Sequence, residues 1–313
     1  MFISIFRIEY SFTAPGYNKE VDGFIELDEE YSQAGSIHTT SVFVVDKITI
    51  LQKVLGELNQ KIEVEPFPDY YRDVDLDDLV ILGYFQKNES IQNSLIVASQ
   101  YTNHNIQYKT SPTIYLKFNY LEEDTLELGD KIITVNGYED YQSEIIKGAC
   151  DAALLFEIDR DGQIMFITVH KKPERDCAVG IFIKDFTEVI QTDLTYRIIT
   201  TTTGGGSGGL MQTLYIYNKL VEFDITHGLR IAGTGTINIE GKVGSIGGIH
   251  QKIYTAYYND IDIFFVPHFS DGPNDNYINA LEVYNTLDTD MILVPVSTFQ
   301  EALDFLLTYE GGE

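Results

Sequence analysis

The feature that most constrains the fold is a regular alternation of strand-like and helix-like patterns along residues 173–313. β-branched and apolar runs typical of strands occupy residues 195–203, 230–239, 262–267 and 291–296. Helix-like patterns with one apolar face occupy residues 210–222, 248–258, 276–284 and 298–307. Strands and helices that alternate at this spacing are typical of an α/β layer. The sequence therefore predicts an α+β or α/β fold.

The N-terminal third, residues 1–108, mixes the two kinds of pattern. Residues 35–45 are rich in Thr and Val and predict a strand, and residues 48–58 carry apolar side chains at helical spacing. The acidic segment 69–78 is predicted to be a solvated connection. A second helical pattern follows Glu89.

Residues 109–172 have a different character. Apolar side chains alternate along residues 114–120, and residues 126–137 read LELGDKIITVNG, with an Asn-Gly pair that predicts a hairpin turn. A further hairpin is predicted between residues 152–158 and 164–169. These short, turn-punctuated strands predict a separate, mostly β module.

The charge balance argues against nucleic acid as a partner. Lys and Arg number 21 against 48 Asp and Glu, which gives a net charge of −27. Nucleic-acid affinity depends largely on neutralising phosphates, so this chain is not expected to bind one. The segment from Gly235 to Gly241-Lys242-Val243 resembles a P-loop, but five residues separate its glycines where four are required, and Val243 stands where Ser or Thr should hold magnesium. Nucleotide binding is not expected either.

No apolar run approaches the ~18 residues that a membrane-spanning helix needs. Residues 1–6 are apolar but too short for a signal peptide, which taken alone favours an intracellular protein; they could equally be the remnant of a membrane anchor. The two cysteines, Cys150 and Cys177, allow one disulfide at most, and the six histidines form no HExxH pair. No metal and no organic cofactor are expected.

The most informative segment is a glycine-rich run around Ser207, which reads TTTTGGGSGGL over residues 200–210. It could be a flexible linker, but a strand pattern precedes it and a helix pattern follows at once. Glycines before a helix let backbone N–H groups approach negative charge, so Ser207 is a candidate nucleophile next to an oxyanion site. The run also satisfies the G-x-S-x-G elbow of α/β-hydrolases. That alternative requires an acid and a histidine, for which Asp224 or Asp260 with His268 are available.

Residues 126–137 resemble the Leu-x-x-Gly-Asp-x-Ile-x-x-Val-Asn-Gly signature of PDZ domains. PDZ domains bind extended peptides by adding a strand to a sheet edge. The signature residues are structural, so they assign no ligand contact.

A second segment, IAGTGTINIEGKVGSIGGIHQK over residues 231–252, resembles the proteolytic domain of Lon-type serine peptidases. The segment looks like that family's run ending in its catalytic lysine, here Lys252, which lies 45 residues after Ser207. "GGGSGGL" stands where the family has Gly-Pro-Ser-Ala-Gly, so Gly206 and Gly208 replace its Pro and Ala. The Val266-Pro267 pair also fits.

With the PDZ-like module, the chain looks most like the Lon-like, PDZ-containing peptidases of the bacterial cell surface (YlbL-like proteins). This resemblance implies a Lon-type proteolytic domain with an inserted, mostly β PDZ-like domain. The expected organisation is 1–108 as the N-terminal part of a split peptidase domain, 109–172 as the PDZ-like domain, and 173–313 as the catalytic part. It also implies a position on the outer side of the cytoplasmic membrane, with attachment through an N-terminal anchor that is missing or truncated here, or a cytoplasmic position if the chain lacks one.

The implied activity is ATP-independent cleavage of peptide bonds by a Ser207–Lys252 dyad. Lysine acts as a base only when neutral, and burial favours that form. Thr234 is expected to orient the amine, backbone N–H groups around Gly206 and Gly208 to form the oxyanion hole, and substrate to lie as an added strand beside residues 230–235. Polypeptides, basic ones favoured by the acidic surface, are the expected partners, and family analogy allows an oligomer. The alternatives left open are a weak or inactive PDZ-type binding protein and the hydrolase that uses His268.

Overall fold

A computed structural model describes residues 6–28, 31–122, 125–270 and 272–309. The chain divides into two compact units. The first unit comprises Met1–Phe67, Ser90–Gln107 and Val189–Glu313, and the second comprises Pro68–Glu89 and Tyr108–Glu188. The second unit includes residues before 109 and after 172. The domain boundaries at these two positions therefore remain a prediction.

The secondary structure is mixed α/β. The strands are β1 (Tyr10–Glu20), β2 (Ile25–Leu27), β3 (Ser36–Val45), β4 (Glu63–Pro66), β5 (Ile106–Lys117), β6 (Lys131–Val135), β7 (Ala153–Arg160), β8 (Gln163–His170), β9 (Ile181–Thr192), β10 (Tyr196–Ile198), β11 (Arg230–Gly233), β12 (Thr236–Ile237), β13 (Val243–Gly244), β14 (Ile263–Pro267) and β15 (Ile292–Val296). The helices are α1 (Ile50–Glu57), α2 (Leu76–Gln100), α3 (Tyr141–Ile146), α4 (Gly209–Leu220), α5 (Ile249–Tyr257), α6 (Asn276–Tyr284) and α7 (Phe299–Leu307). The chain passes from one unit to the other four times, first between Phe67 and Pro68 and then within α2, β5 and β9. Among the described residues, no helix is long and apolar enough to cross a membrane.

The first unit is built on a six-stranded sheet in the order β15-β14-β11-β3-β1-β4. Strands β15, β14, β11 and β3 run parallel, whereas β1 is antiparallel to both β3 and β4. Strand β11 lies in the interior of this sheet, with β3 on one side and β14 on the other. The prediction that substrate adds as a strand beside residues 230–235 is therefore wrong for β11, because both of its edges are already paired.

Helices cover both faces of this sheet. Successive side chains of a strand point to alternate faces, so the clusters in which they pack show which helix lies on which face. Ile231, Ile263 and Phe265 pack in one apolar cluster with most of α4. The intervening residues Ala232 and Phe264 pack in another cluster with α5 and α6. Since successive side chains of a strand point to opposite faces, α4 and α5 lie on opposite faces of the same strands.

The second unit contains a five-stranded sheet in the order β8-β7-β6-β5-β9. The buried Asp130 accepts hydrogen bonds from Arg160 through Nε at 2.7 Å and through a terminal nitrogen at 2.7 Å. Asn136 and Gly137 have φ of 54° and 81°, which suits the predicted Asn-Gly turn after β6. The Gly-Asp and Asn-Gly pairs of the LELGDKIITVNG segment thus have structural roles.

The two cysteines form a disulfide within the second unit, with Cα atoms of Cys150 and Cys177 4.7 Å apart. It joins the segment after α3 to the segment before β9. The sequence allowed one disulfide at most, and no local sequence pattern predicted that the two cysteines lie close together.

Three predicted elements differ from the structure. The predicted strand 230–239 is interrupted, since β11 ends at Gly233 and β12 covers only Thr236–Ile237. Only Tyr196–Ile198 of the predicted strand 195–203 is a strand, because its partner β2 is itself three residues long and cannot pair with more. The acidic segment 69–78 is not only a connection: α2 begins at Leu76, with Asp77 and Asp78 in its first turn, where the helix dipole favours negative charge.

Candidate active site

The candidate residues meet at the carboxyl end of β11. Thr234 is the first residue after this strand, and its backbone N–H donates to the carbonyl oxygen of Phe265 in β14 at 3.0 Å. Ser207 lies in the turn before α4, and Lys252 lies in α5. Because α4 and α5 cover opposite faces of the sheet, the Ser207 turn and the Lys252 side chain reach this strand end from opposite sides. The end of a central strand is a common place for a site in α/β sheets.

Hydrogen bonds connect the three residues in a line. Lys252 Nζ donates to Thr234 Oγ1 at 2.8 Å, and Thr234 Oγ1 donates to the backbone oxygen of Ser207 at 3.1 Å. A hydroxyl carries one hydrogen, so Thr234, having given it to Ser207, can only accept from the lysine. The threonine thereby fixes the position of the amine relative to the serine turn.

The Ser207 hydroxyl itself has no hydrogen-bond partner among the described residues. In particular, Lys252 reaches Ser207 through Thr234, and no hydrogen bond of the described residues joins its Nζ directly to Ser207 Oγ. The serine side chain is half-buried, and no hydrogen bond fixes its rotamer. Catalytic hydrogen bonds are often long or incomplete in the absence of substrate.

Lys252 is among the most buried charged side chains in the described residues, with 2% of its surface exposed. Burial lowers the pKa of its ammonium group from 10.5 to about 7. No carboxylate pairs with it among the described residues, so no opposite charge offsets the loss of water around the cation. A substantial fraction of this lysine is therefore neutral near pH 7.

The turn that carries Ser207 is held by its backbone. The Ser207 carbonyl oxygen also accepts from the N–H of Gly235 at 2.7 Å, and Leu210 N–H donates back to the Gly235 oxygen at 3.1 Å. Gly208 is the N-cap of α4. The N–H groups of Ser207 and Gly208 have no acceptor among the described residues, and they lie where the helix dipole attracts negative charge. They are suited to stabilise an oxyanion.

The glycines of the turn are not equivalent. A Cβ added to Gly209 would lie 2.8 Å from Ile237 Cγ2 and 2.9 Å from the Ile237 nitrogen, so only glycine fits there. A Cβ added to Gly208 would meet Thr39 Cγ2 at 3.3 Å and Gln212 Nε2 at 3.2 Å, a tight contact that small shifts can relieve. Gly205 has φ of +91°, a conformation that favours glycine.

A polar stripe on α2, which the sequence analysis missed, supports this turn. The Ser90 hydroxyl lies 3.1 Å from the Gly206 carbonyl oxygen and 2.9 Å from Gln212 Oε1, and the Ser94 hydroxyl lies 3.0 Å from the Gly209 oxygen and 2.7 Å from the Ser90 oxygen. Asn93 donates to the Ile237 oxygen at 3.0 Å. All three side chains are buried. The signal was present in the sequence, since three polar residues at i, i+3 and i+4 interrupt the apolar face of a helix.

His268 does not form the predicted triad with Asp224 or Asp260. Its Nδ1 lies 3.1 Å from Asp275 Oδ1, and Asp275 also caps α6 by accepting from the N–H groups of Tyr277 and Ile278. These hydrogen bonds, together with those from Phe269 and Ser270, outweigh burial and lower the pKa of the Asp275 carboxyl to about 2. Asp224 instead accepts from Asn218 and Thr226. The His268–Asp275 pair therefore stabilises the turn between β14 and α6.

Comparison with known proteins places the segment that carries these residues in a known family model. Residues 200–309 match the family model described as the Lon protease (S16) C-terminal proteolytic domain. A 102-residue segment is 32% identical to the Lon protease of Mesomycoplasma hyopneumoniae (strain 232) and 29% identical to that of Mycoplasma mobile (strain ATCC 43663 / 163K / NCTC 11711). Each match covers 33% of this chain and 11% of the relative, so the chain spans about a tenth of the length of the curated relatives it matches.

The matched segment contains Ser207, Thr234 and Lys252, together with α4, α5 and the strands that bring them together. The C-terminal part of this chain is thus similar to the proteolytic domain of Lon protease.

Proposed function

We propose that this protein is a serine endopeptidase that cleaves polypeptides with a Ser207–Lys252 dyad. The observation that carries the proposal is the buried Lys252, whose lowered pKa leaves the amine partly neutral and whose Nζ is tied through Thr234 to the Ser207 turn. Similarity to the Lon proteolytic domain over residues 200–309 supports the same activity.

In the first step, Ser207 Oγ attacks the carbonyl carbon of the scissile peptide bond and its proton moves to Lys252 Nζ. A neutral amine is required, because an ammonium group has no lone pair to accept that proton. Thr234 supports the transfer by accepting a hydrogen bond from Nζ, which leaves the nitrogen lone pair directed away from the threonine.

The tetrahedral intermediate carries its negative charge on the former carbonyl oxygen. The N–H groups of Ser207 and Gly208, at the N-terminus of α4, donate to that oxygen. Gly206 contributes by holding the turn, since its carbonyl oxygen accepts from the Gly209 N–H and lies within hydrogen-bond distance of the Ser90 hydroxyl. Collapse of the intermediate returns the proton from Lys252 to the leaving amine, and water then hydrolyses the acyl-enzyme with the same lysine as base.

Independence from a nucleotide is part of the proposal. The P-loop-like segment forms the β12–β13 hairpin, and no helix begins directly after its lysine. Lys242 pairs with Glu240 at 2.7 Å. A phosphate-binding loop needs backbone N–H groups at a helix N-terminus, which this hairpin does not provide.

We further propose that the second unit binds extended polypeptide in the manner of a PDZ domain. Support comes from the LELGDKIITVNG signature and from a sheet whose outer strands, β8 and β9, can accept an added strand. Phe166 on β8 is 67% exposed and offers apolar surface beside such a strand.

Membership of the YlbL-like group and a position on the outer side of the cytoplasmic membrane are proposals as well. The Cys150–Cys177 disulfide supports them, because disulfides persist mainly outside the cytoplasm. Of the apolar segment 1–6, on which the membrane anchor was predicted, residues 1–5 lie outside the described residues.

Digestion of a peptide library by the native protein and by Ser207→Ala tests the function. Cleavage products are expected with the native protein and not with the variant, because the alanine has no nucleophile. Equal product patterns from both proteins would contradict the proposal. Peptides retained by both proteins but cleaved by neither would instead identify a binding protein with an inactive peptidase domain.

A further inference from the structure

A cleft of about 480 Å³ lies in the first unit, in the space between β1, β3 and the threonine-rich segment before Ser207. Its lining includes Tyr17, Lys19, Phe24, Thr39, Thr201 and Thr203. The volume is within the range of pockets that hold small ligands or side chains.

The cleft adjoins the nucleophile turn at two points. Thr203 lies four residues before Ser207, at the start of the glycine run. Thr39 lies in register with Gly233, the residue that precedes Thr234, and its Cγ2 is 3.3 Å from the position of a Cβ on Gly208. A peptide with its scissile carbonyl at Ser207 therefore has a neighbouring side chain within reach of this cleft.

Lys19 is the charged residue in the lining of the cleft. Its Nζ donates to the Gly23 carbonyl oxygen at 3.2 Å and lies 4.6 Å from the centre of the Phe24 ring. Among the described residues no carboxylate forms an ion pair with it. Since an ammonium group has three donors, two remain for a ligand.

The remaining surface of the cleft is uncharged. Threonine side chains from residues 200–203 and Thr39 supply methyl and hydroxyl groups, and the ring of the buried Phe24 supplies apolar surface beside the lysine. Such a site suits a short aliphatic stem that ends in an acceptor of hydrogen bonds. A glutamate or aspartate side chain has this form, and its charge complements Lys19.

We infer that this cleft is a specificity subsite of the peptidase, in which Lys19 binds the carboxylate of a glutamate or aspartate next to the scissile bond. The inference rests on the proposed function. It concerns one position of the substrate, and it differs from the expectation that the acidic surface attracts basic peptides. The long-range field of the surface is screened by salt, whereas a half-buried charge beside the site acts at contact distance.

Two sets of three internally quenched peptides with a single cleavage site, one set for each side of the scissile bond, test the inference. They are taken from the products that require Ser207 and differ only in Glu, Gln or Lys at one residue, varied on either side of the scissile bond. At one of the two positions, the native protein is expected to show a kcat/KM for the Glu peptide roughly fivefold to tenfold above that for the Gln peptide, with the Lys peptide lowest.

The variants separate charge from packing. Lys19→Met keeps an aliphatic chain over Phe24 and is expected to bring the Glu-to-Gln ratio close to one, whereas Lys19→Arg keeps the ratio above one. Lys47→Met is the matched control, because Lys47 also lies over an aromatic ring, that of Phe67 at 5.1 Å, but does not line the cleft. It is expected to keep the native ratio.

A Glu-to-Gln ratio of one at both positions in the native protein would overturn the inference, as would a ratio that Lys19→Met leaves unchanged. Either result is compatible with the proposed function, provided that cleavage still requires Ser207. Absence of any Ser207-dependent cleavage would instead refute the proposed function and this inference with it.

Discussion

Lys252→Met is expected to lower kcat/KM for peptide cleavage by roughly a thousandfold or more, close to the loss caused by Ser207→Ala. Methionine fills a similar volume but has no lone pair of sufficient basicity to take the serine proton. His268→Ala is expected to retain most activity, because His268 pairs with Asp275 at the start of α6. The measurement is steady-state cleavage of one quenched peptide by the three variants at pH 8.

The double variant Ser207→Ala/Lys252→Met provides the control for cooperation within the dyad. If the two residues act as a unit, its activity is no lower than that of either single variant. Loss of activity in His268→Ala together with an active Lys252→Met would instead favour the hydrolase elbow with a histidine base.

The second large effect is on stability and its dependence on pH. The pKa of Lys252 is 10.5 in the unfolded chain and about 7 in the folded protein, so between these values the unfolded state binds more protons than the folded state. Stability therefore rises with pH across this window, by up to about 1.4 kcal/mol per pH unit, and the full penalty is present below pH 7. Lys252→Met removes the penalty.

The variant is accordingly expected to be more stable than the native protein at pH 7, by on the order of 4 kcal/mol, and the difference shrinks toward pH 10. Chemical denaturation of both proteins at pH 6 to 10 measures it. Lys109→Met, at an exposed lysine, controls for the loss of one positive charge. A difference that does not change with pH, or a variant less stable than the native protein at pH 7, would contradict a buried Lys252 with a lowered pKa.

The sequence predicted the helices of the first unit more completely than it predicted the contacts within the candidate site. Periodicity placed α4, α5, α6 and α7 within one or two residues of their observed bounds, because apolar faces at helical spacing are local signals. The prediction of a strand over residues 195–203 was too long, because the length of β10 depends on its partner β2, which lies far away in the sequence. Strand β11 shows the same limit, since only the folded sheet reveals that both of its edges are paired.

The pairing of Ser207 with Lys252 came from the resemblance to Lon-type peptidases, not from composition or spacing. The structure adds what sequence patterns do not contain: the burial of Lys252, its hydrogen bond to Thr234 and the link from Thr234 to the Ser207 carbonyl oxygen. The polar residues Ser90 and Ser94 are visible in the sequence as a break in an apolar helix face, but their contacts with the Ser207 turn are not, and neither is the Lys19 cleft. Each of these features depends on contacts between residues far apart in the sequence, and a local sequence pattern does not predict such contacts.

The central claim is that Ser207 is a nucleophile activated by a neutral Lys252. The rate at which diisopropyl fluorophosphate labels Ser207, followed by mass spectrometry of the peptide that contains it, tests this claim without a known substrate. In the native protein the rate is expected to rise with pH through a midpoint near 7, the pKa of Lys252, and labelling is expected to be lost in Lys252→Met. Labelling of Ser207 in Lys252→Met at the native rate, or a native rate that does not change between pH 5 and 9, would contradict it.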